Sequence, residues 1–536
     1  MKKNSFLKNV ILLLFSQGII KIVGVIYKIY LTNKTGYADT GNALFSAAFQ
    51  VYAMFLTICS IGVPNSISSL ISEKFAIGNN REAYRILKIA ITIFGSLGFI
   101  ASSLLYFFAK QISVFYLQMP ETELILKVLS PSIFLNAITA VLKGYFNGKQ
   151  KMDVTANSLS IEQITKTVAI IIAVEILAKI SNCKTEVLVC GVGIATTIGN
   201  IISVIYMYVF YLKSRKEIWT DIITSKKYIK ERKIEIIKNI FKVSFPIAIC
   251  AFVGTINKVV DATTIVRILK KQLGEAEAVK QYGILSGKVE SLVTFPFSFN
   301  MAFTTVLIPT IASCKARGDK EKSKKVLKLN ILIGMIIAIP CFVVLFLFPE
   351  KILQILYPNA SSGSLMLKYS SITAIPSIIL QTINSYLQGM KQMKIQMLAI
   401  GIASIIKLIL NMALISNKNL GIYGAIISNI ISQTFALIIL LTYVFRKEGI
   451  KIKFQNLIIK LILLTVLTMG TIKFAYNFAM VKNEILKLII AIIIGGICYL
   501  IWILILKIFN KNDLKILTNS IHKTWKRWKI SKILNF

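Results

Sequence analysis

Gln17, Lys21, Gly24 and Lys28 follow one another at spacings of four, three and four residues, which lays them along one face of an α-helix. Two ammonium groups, an amide and the gap left by a glycine form a wall suited to an anionic group. Lys21 stands at the middle of the apolar run 9–31. At ~1.5 Å per residue it lies roughly 15 Å from either end, farther than a lysine stem can snorkel. A lysine at a bilayer centre costs about 3 kcal/mol, so this one is expected to face a polar cavity. For Lys28, nearer the outer end, snorkelling or a structural ion pair is an equally good account.

Two further groups carry the same kind of chemistry. Asn257, Lys258 and Asp261 fall in the run 239–262, and Lys288 and Glu290 open the next. Lys258 and Lys288 are candidates for a cationic funnel; alternatively Lys258 and Asp261, three residues apart, neutralise each other on one helix. Lys407 and Asn411 share a face of the run 395–416, with no acid on their own helix. Together with Asp261 and Asn257 they form a candidate ion or coupling site. Glu162 precedes Lys166 by four residues, the favourable order for an intrahelical pair, and Glu175 is expected to be solvated.

Catalysis finds little support. The single histidine, His522, lies in a basic C-terminal tail, so no Ser/His or His-metal arrangement can form in the apolar part. Gly283 to Lys288 is one residue short of a phosphate loop and is followed by valine. Seven cysteines, none in a CxxC pair and nearly all in apolar runs, imply neither a disulfide frame nor a zinc site. No metal and no cofactor is expected, with sodium or proton coupling left open.

These residues need helices in a membrane. Hydrophobic residues make up 55% of the chain and its mean hydropathy is +0.71, so an all-α polytopic membrane protein is expected. The apolar runs are 9–31, 43–72, 87–109, 124–146, 158–178, 187–212, 239–262, 282–313, 327–349, 364–388, 395–416, 420–445, 457–479 and 485–507, about 14 spans. The net charge of +40 would suggest nucleic acid in a soluble protein. Here alternate connections hold about 41 Lys/Arg against about 14 on the other side, so the charge reports topology with both termini in the cytoplasm. Prolines 64, 246, 296, 309, 340 and 376 fall inside the runs and are expected to bend helices. The first run is too long, and lacks the cleavage site, for a secretory signal.

The chain also repeats itself. Lys8, Asn9, Phe15, Gly24 and Lys28 recur 230 residues on as Lys238, Asn239, Phe245, Gly254 and Lys258, and Tyr145, Gly148, Met152 and Lys166 recur 241 on as Tyr386, Gly389, Met393 and Lys407. Each half holds six runs in one orientation, related by a pseudo-two-fold. The expected organisation is an N-lobe 1–212, a basic cytoplasmic linker 213–238, a C-lobe 239–446, two extra helices in 447–507 and a tail 508–536 that reads as a basic amphipathic interfacial helix.

Lys143, Gly144, Tyr145, Phe146, Asn147 and Gly148, then Met152, Thr155, Ala156, Ser158, Glu162, Gln163 and Lys166, resemble the signature of the stage V sporulation protein B-like transporters of polysaccharide biosynthesis, in the multidrug/oligosaccharidyl-lipid/polysaccharide flippase superfamily. Ile61 to Pro64 and the whole-chain layout fit as well. The resemblance implies a monomeric alternating-access flippase related to the lipid II flippases, moving undecaprenyl-pyrophosphate-linked sugars across the cytoplasmic membrane among lipids, with basic residues on the pyrophosphate. Lys21 and Lys28 stand where the family carries arginines, and lysine gives up bidentate geometry. Val154 replaces the motif's proline and Lys166 its arginine. The resemblance also implies a cation site built from carboxylates, for which Asp261 serves while Lys407 and Asn411 depart from the pattern. A multidrug or cation exporter of the same superfamily and, further off, a membrane glycosyltransferase are the alternatives.

Overall fold

A computed structural model describes residues 18, 20, 22–223, 225, 230–448, 454–479, 481 and 483–508. Among these the chain is helical throughout, with no strand. Gln17, Lys21, His522 and the tail beyond 508 lie outside the described residues.

The helices in chain order are α1 (Ile22–Asn33), α2 (Ala38–Ser60), α3 (Val63–Ala76), α4 (Asn80–Phe107), α5 (Thr122–Leu129), α6 (Pro131–Gly148), α7 (Met152–Ile180), α8 (Thr185–Lys213), α9 (Arg215–Ile223), α10 (Lys233–Leu273) and α11 (Glu275–Gly283). A π-helical turn, Ile284–Val289, follows. Then come α12 (Phe295–Ala316), α13 (Lys320–Leu347), α14 (Pro349–Leu356), α15 (Ser364–Ser370), α16 (Ala374–Gly389), α17 (Met393–Ile415), α18 (Ile422–Glu448), α19 (Phe454–Phe478) and α20 (Glu484–Ile505).

Ten helical spans among the described residues are long and apolar enough to cross a membrane, so the chain is a multi-pass membrane protein. The other four of the expected fourteen miss that mark for visible reasons. The first is described only as Ile22–Asn33. The fifth, α7, carries Glu162, Gln163, Lys166 and Glu175, which lower its hydropathy. The tenth is broken by the 3₁₀ turn Ser371–Thr373 before α16, and the eighth, α12 after the π-turn, is not described in full.

Several prolines expected inside helices instead start them. Gly62, at φ 89° in the left-handed region, breaks the second span, and Pro64 then occupies the first turn of α3; Pro296 does the same for α12. There the missing N–H is one that a helix start leaves unbonded anyway. Pro246 and Pro340 are truly interior.

Two compact units are formed. One holds the described residues of Phe6–Ser291 and Met393–Ser432, the other those of Leu292–Gln392 and Gln433–Phe536. In the first, α10 packs on α2 and α17, and α6 packs on α3 and α4. The last contact depends on Gly144 and Gly148: a Cβ on either would stand 2.8 Å from Ile67 or Ile71. The second unit repeats it, with Gly389 of α16 against Ile311 of α12, where a Cβ would stand 2.9 Å from Ile311 Cβ. Phe146 and Tyr145, wholly buried, belong with Ile67, Ile71 and Leu87 to the core of the first unit.

Candidate functional site

All described candidate residues fall in the first unit. Gly24 of α1 faces α7, where a Cβ would still be 3.9 Å from Gln163 Nε2, so at this point α1 meets a motif residue of α7 with space to spare. Lys166 stands over two rings, 5.9 Å from the centroids of both Tyr27 and Phe49. The intrahelical pair expected between Glu162 and Lys166 does not form: Glu162 turns to Lys143 of α6, 3.6 Å away, and among the described residues no carboxylate pairs with Lys166. Ring faces attract a cation without neutralising it. Lys28, half-buried on α1, lies within electrostatic reach of Glu290.

The expected cationic funnel is corrected, because its lysines have carboxylates opposite them. Lys288, with a side chain 0% exposed, meets Asp39 at 2.8 Å. The segment read as a near phosphate loop is the π-turn itself, its Gly287 pressed against Asn42 of α2. Lys258 pairs with Glu290 at 3.4 Å and not with Asp261 on its own helix. Asp261 is taken by Lys407, which reaches across from α17 with Nζ 2.6 Å from Oδ2. The same ammonium donates to the backbone oxygen of Asn257 at 3.2 Å and to Oδ1 of Asn429 at 3.3 Å. Asn411 donates to Asp261 Oδ1 at 3.1 Å and to Thr264 at 2.9 Å. Asn257, Asp261, Lys407 and Asn411 are thus brought together around an ion pair that the spacing of neither helix reveals. Among the described residues no three His, Cys, Asp or Glu side chains converge as for a metal ion.

The chain matches the family described as polysaccharide biosynthesis protein over residues 6–315, more than half of its length. It belongs to that family. Residues 262–413 also match the MatE family. Stage V sporulation protein B of Bacillus subtilis (strain 168) is 24% identical over 531 residues, covering 96% of this chain and 98% of the relative. The lipid II flippase MurJ of the same organism is 22% identical over 520 residues, covering 93% and 94%. A solved structure of lipid II flippase MurJ in an inward closed conformation superposes with a TM-score of 0.64 at 19% identity, covering 95% of this chain and 99% of that one, a likeness of fold.

The polysaccharide biosynthesis match takes in α1, the α6–α7 motif and Lys288, whereas Lys407 and Asn411 lie beyond it in the MatE stretch. Three participants escaped sequence reading. Asp39 and Asn429 are single polar residues on apolar helices, and no spacing or motif in the sequence marks them as partners of Lys288 and Lys407. Asp221 lies in the linker read for its basic residues, yet it accepts from Lys149 at 2.8 Å and from Tyr84 at 3.1 Å.

Proposed function

We propose that this chain is a flippase, not an enzyme, exporting a lipid-linked (undecaprenyl-pyrophosphate) oligosaccharide or peptidoglycan precursor across the cytoplasmic membrane by alternating access. It works as a monomeric unit with both termini in the cytoplasm, its two six-helix repeats rocking about the substrate. The observation that carries the reading is Lys166, a half-buried lysine held over the rings of Tyr27 of α1 and Phe49 of α2. A pyrophosphate headgroup must shed water to cross hydrocarbon, and cations along its path offset that cost. The relatives' names point the same way.

Lys166, with Lys28 and Gln17, Lys21 and Gly24 of the same wall, is assigned to the headgroup. Losing one charge-assisted contact costs about 1.5–3 kcal/mol. Purified protein in liposomes with fluorescent lipid-linked sugar is therefore expected to flip at least tenfold more slowly as Lys166→Ala, and Lys21→Ala is expected to abolish flipping. Insertion and thermal stability should be unchanged in both. Full headgroup translocation by Lys166→Ala rejects the assignment. A multidrug exporter, the reading that the MatE match supports, instead predicts drug resistance on expression with no movement of lipid-linked sugar.

A further inference from the structure

We infer that the ammonium of Lys407 is itself the resident cation of the oxygen cage between α10, α17 and α18, and that this site therefore takes no sodium ion. This goes beyond the flippase reading and stands whatever the substrate is.

A lysine ammonium has three N–H donors and no acceptor, and here three oxygens answer them: Asp261 Oδ2 at 2.6 Å, Asn257 O at 3.2 Å and Asn429 Oδ1 at 3.3 Å. The remaining carboxylate oxygen of Asp261 is held by Asn411, which is fixed in turn by Thr264. The Lys407 side chain is 3% exposed. Carboxylate, backbone carbonyl and amide oxygens are the ligands a hard cation selects, and Oδ1 of Asn257 and Oδ1 of Asn411 are buried with no donor of their own. The cage is therefore that of a cation site, with its central position filled.

Charge decides against a second occupant. Asp261 balances Lys407 and the neighbouring Glu290 balances Lys258, so an added sodium ion would meet a neutral set inside a membrane, with an ammonium in its place. A cation tethered to α17 cannot be exchanged between the two faces. Sodium implied by the superfamily resemblance does not fit these residues, and transport by this chain is uncoupled from it at this position.

The test is thermal unfolding of the full chain in detergent, in sodium chloride and in choline chloride of equal ionic strength. The wild type is expected to unfold at one temperature in both. Lys407→Ala uncovers the cage; it is expected to be less stable in choline and to regain a few degrees in sodium. The double variant Lys407→Ala/Asp261→Asn should lose that recovery. A sodium-dependent rise in the wild type overturns the inference, as does a folded Lys407→Ala protein that ignores sodium. Should Lys407→Ala not fold, Lys407→Met, which keeps most of the stem, carries the same comparison. Wild-type binding of radioactive sodium, expected to be absent, decides independently of any variant.

Discussion

At the scale of single residues, Lys258, Lys288 and Lys407 inside this membrane protein are each paired with a carboxylate of another element, while Lys166 stands apart on its two rings. Lys288 and Asp39 are the most enclosed of them, at 0% and 7% side-chain exposure. A buried pair repays its desolvation only when both partners are present, and removing one leaves an uncompensated charge costing about 3–5 kcal/mol. Asp39→Leu and Lys288→Met are each expected to lower the unfolding temperature of the detergent-solubilised protein sharply. Combining them as Asp39→Leu/Lys288→Met should restore most of it, since a matched apolar pair is nearly neutral. Additive losses in that cycle would show that the two side chains do not act as a pair. The lysines themselves were legible in the sequence because a cation in an apolar run stands out. Their partners were not: Lys258 and Asp261 share a helix at favourable spacing, yet each finds its counterion on another helix. Spacing along one helix sets only which residues share a face; which face meets which is decided by packing between helices.

The linker shows the same contrast at the scale of an element. Its lysines and arginines predict a cytoplasmic join, and that is all composition can say. Its acids do the docking. Glu217 of α9 accepts from Lys151 at 2.6 Å and pairs with Lys149 at 3.1 Å, while Asp221 joins Lys149 and Tyr84, which in turn touches Tyr145 of the family motif at 3.2 Å. Further on, Glu231 meets Lys74, and its backbone oxygen accepts from Arg85 at 2.7 Å. The hydrogen bond from Lys151, aided by Lys149, holds the Glu217 carboxyl below its ordinary value against the opposing effect of burial. A group whose value is lowered by docking stabilises the docked form above the ordinary carboxylate range, and that support is lost as pH falls through and below it. Trp219, 57% exposed on the same helix, is a built-in reporter. With the other three tryptophans changed to phenylalanine, its emission is expected to shift as the pH is lowered through the carboxylate range, and Glu217→Gln should remove most of that step. A step of full size in Glu217→Gln would move the effect to another group.

For the whole molecule, helices and their order were readable because apolar length is fixed by bilayer thickness. The breaks were less so, because a proline inside an apolar run does not say whether it bends a helix or begins one. Topology is where sequence and structure bear on each other most directly. If alternate connections face opposite sides, contacts between connections must join only those of equal parity, and within each unit they do. Thr185 donates to Gly36 O at 2.7 Å, joining the first and fifth connections. Gln272 donates to Ser416 O at 2.9 Å, joining the seventh and eleventh. On the other side the linker reaches Glu82 and Lys149, in the second and fourth connections, and Lys315 donates to Met390 O at 2.6 Å, joining the eighth and tenth. The lysine- and arginine-rich set is the second of these, and positive charge resists translocation, so the proposed orientation puts that set in the cytoplasm. In a cysteine-free background, a membrane-impermeant maleimide added to intact cells is expected to label Glu275→Cys and Ser361→Cys. It should leave Ser225→Cys and Lys320→Cys untouched until the cells are opened. Labelling of Ser225→Cys from outside would invert the orientation and with it the direction of export, whereas mixed labelling within either set would break the alternation on which the fourteen-span reading rests.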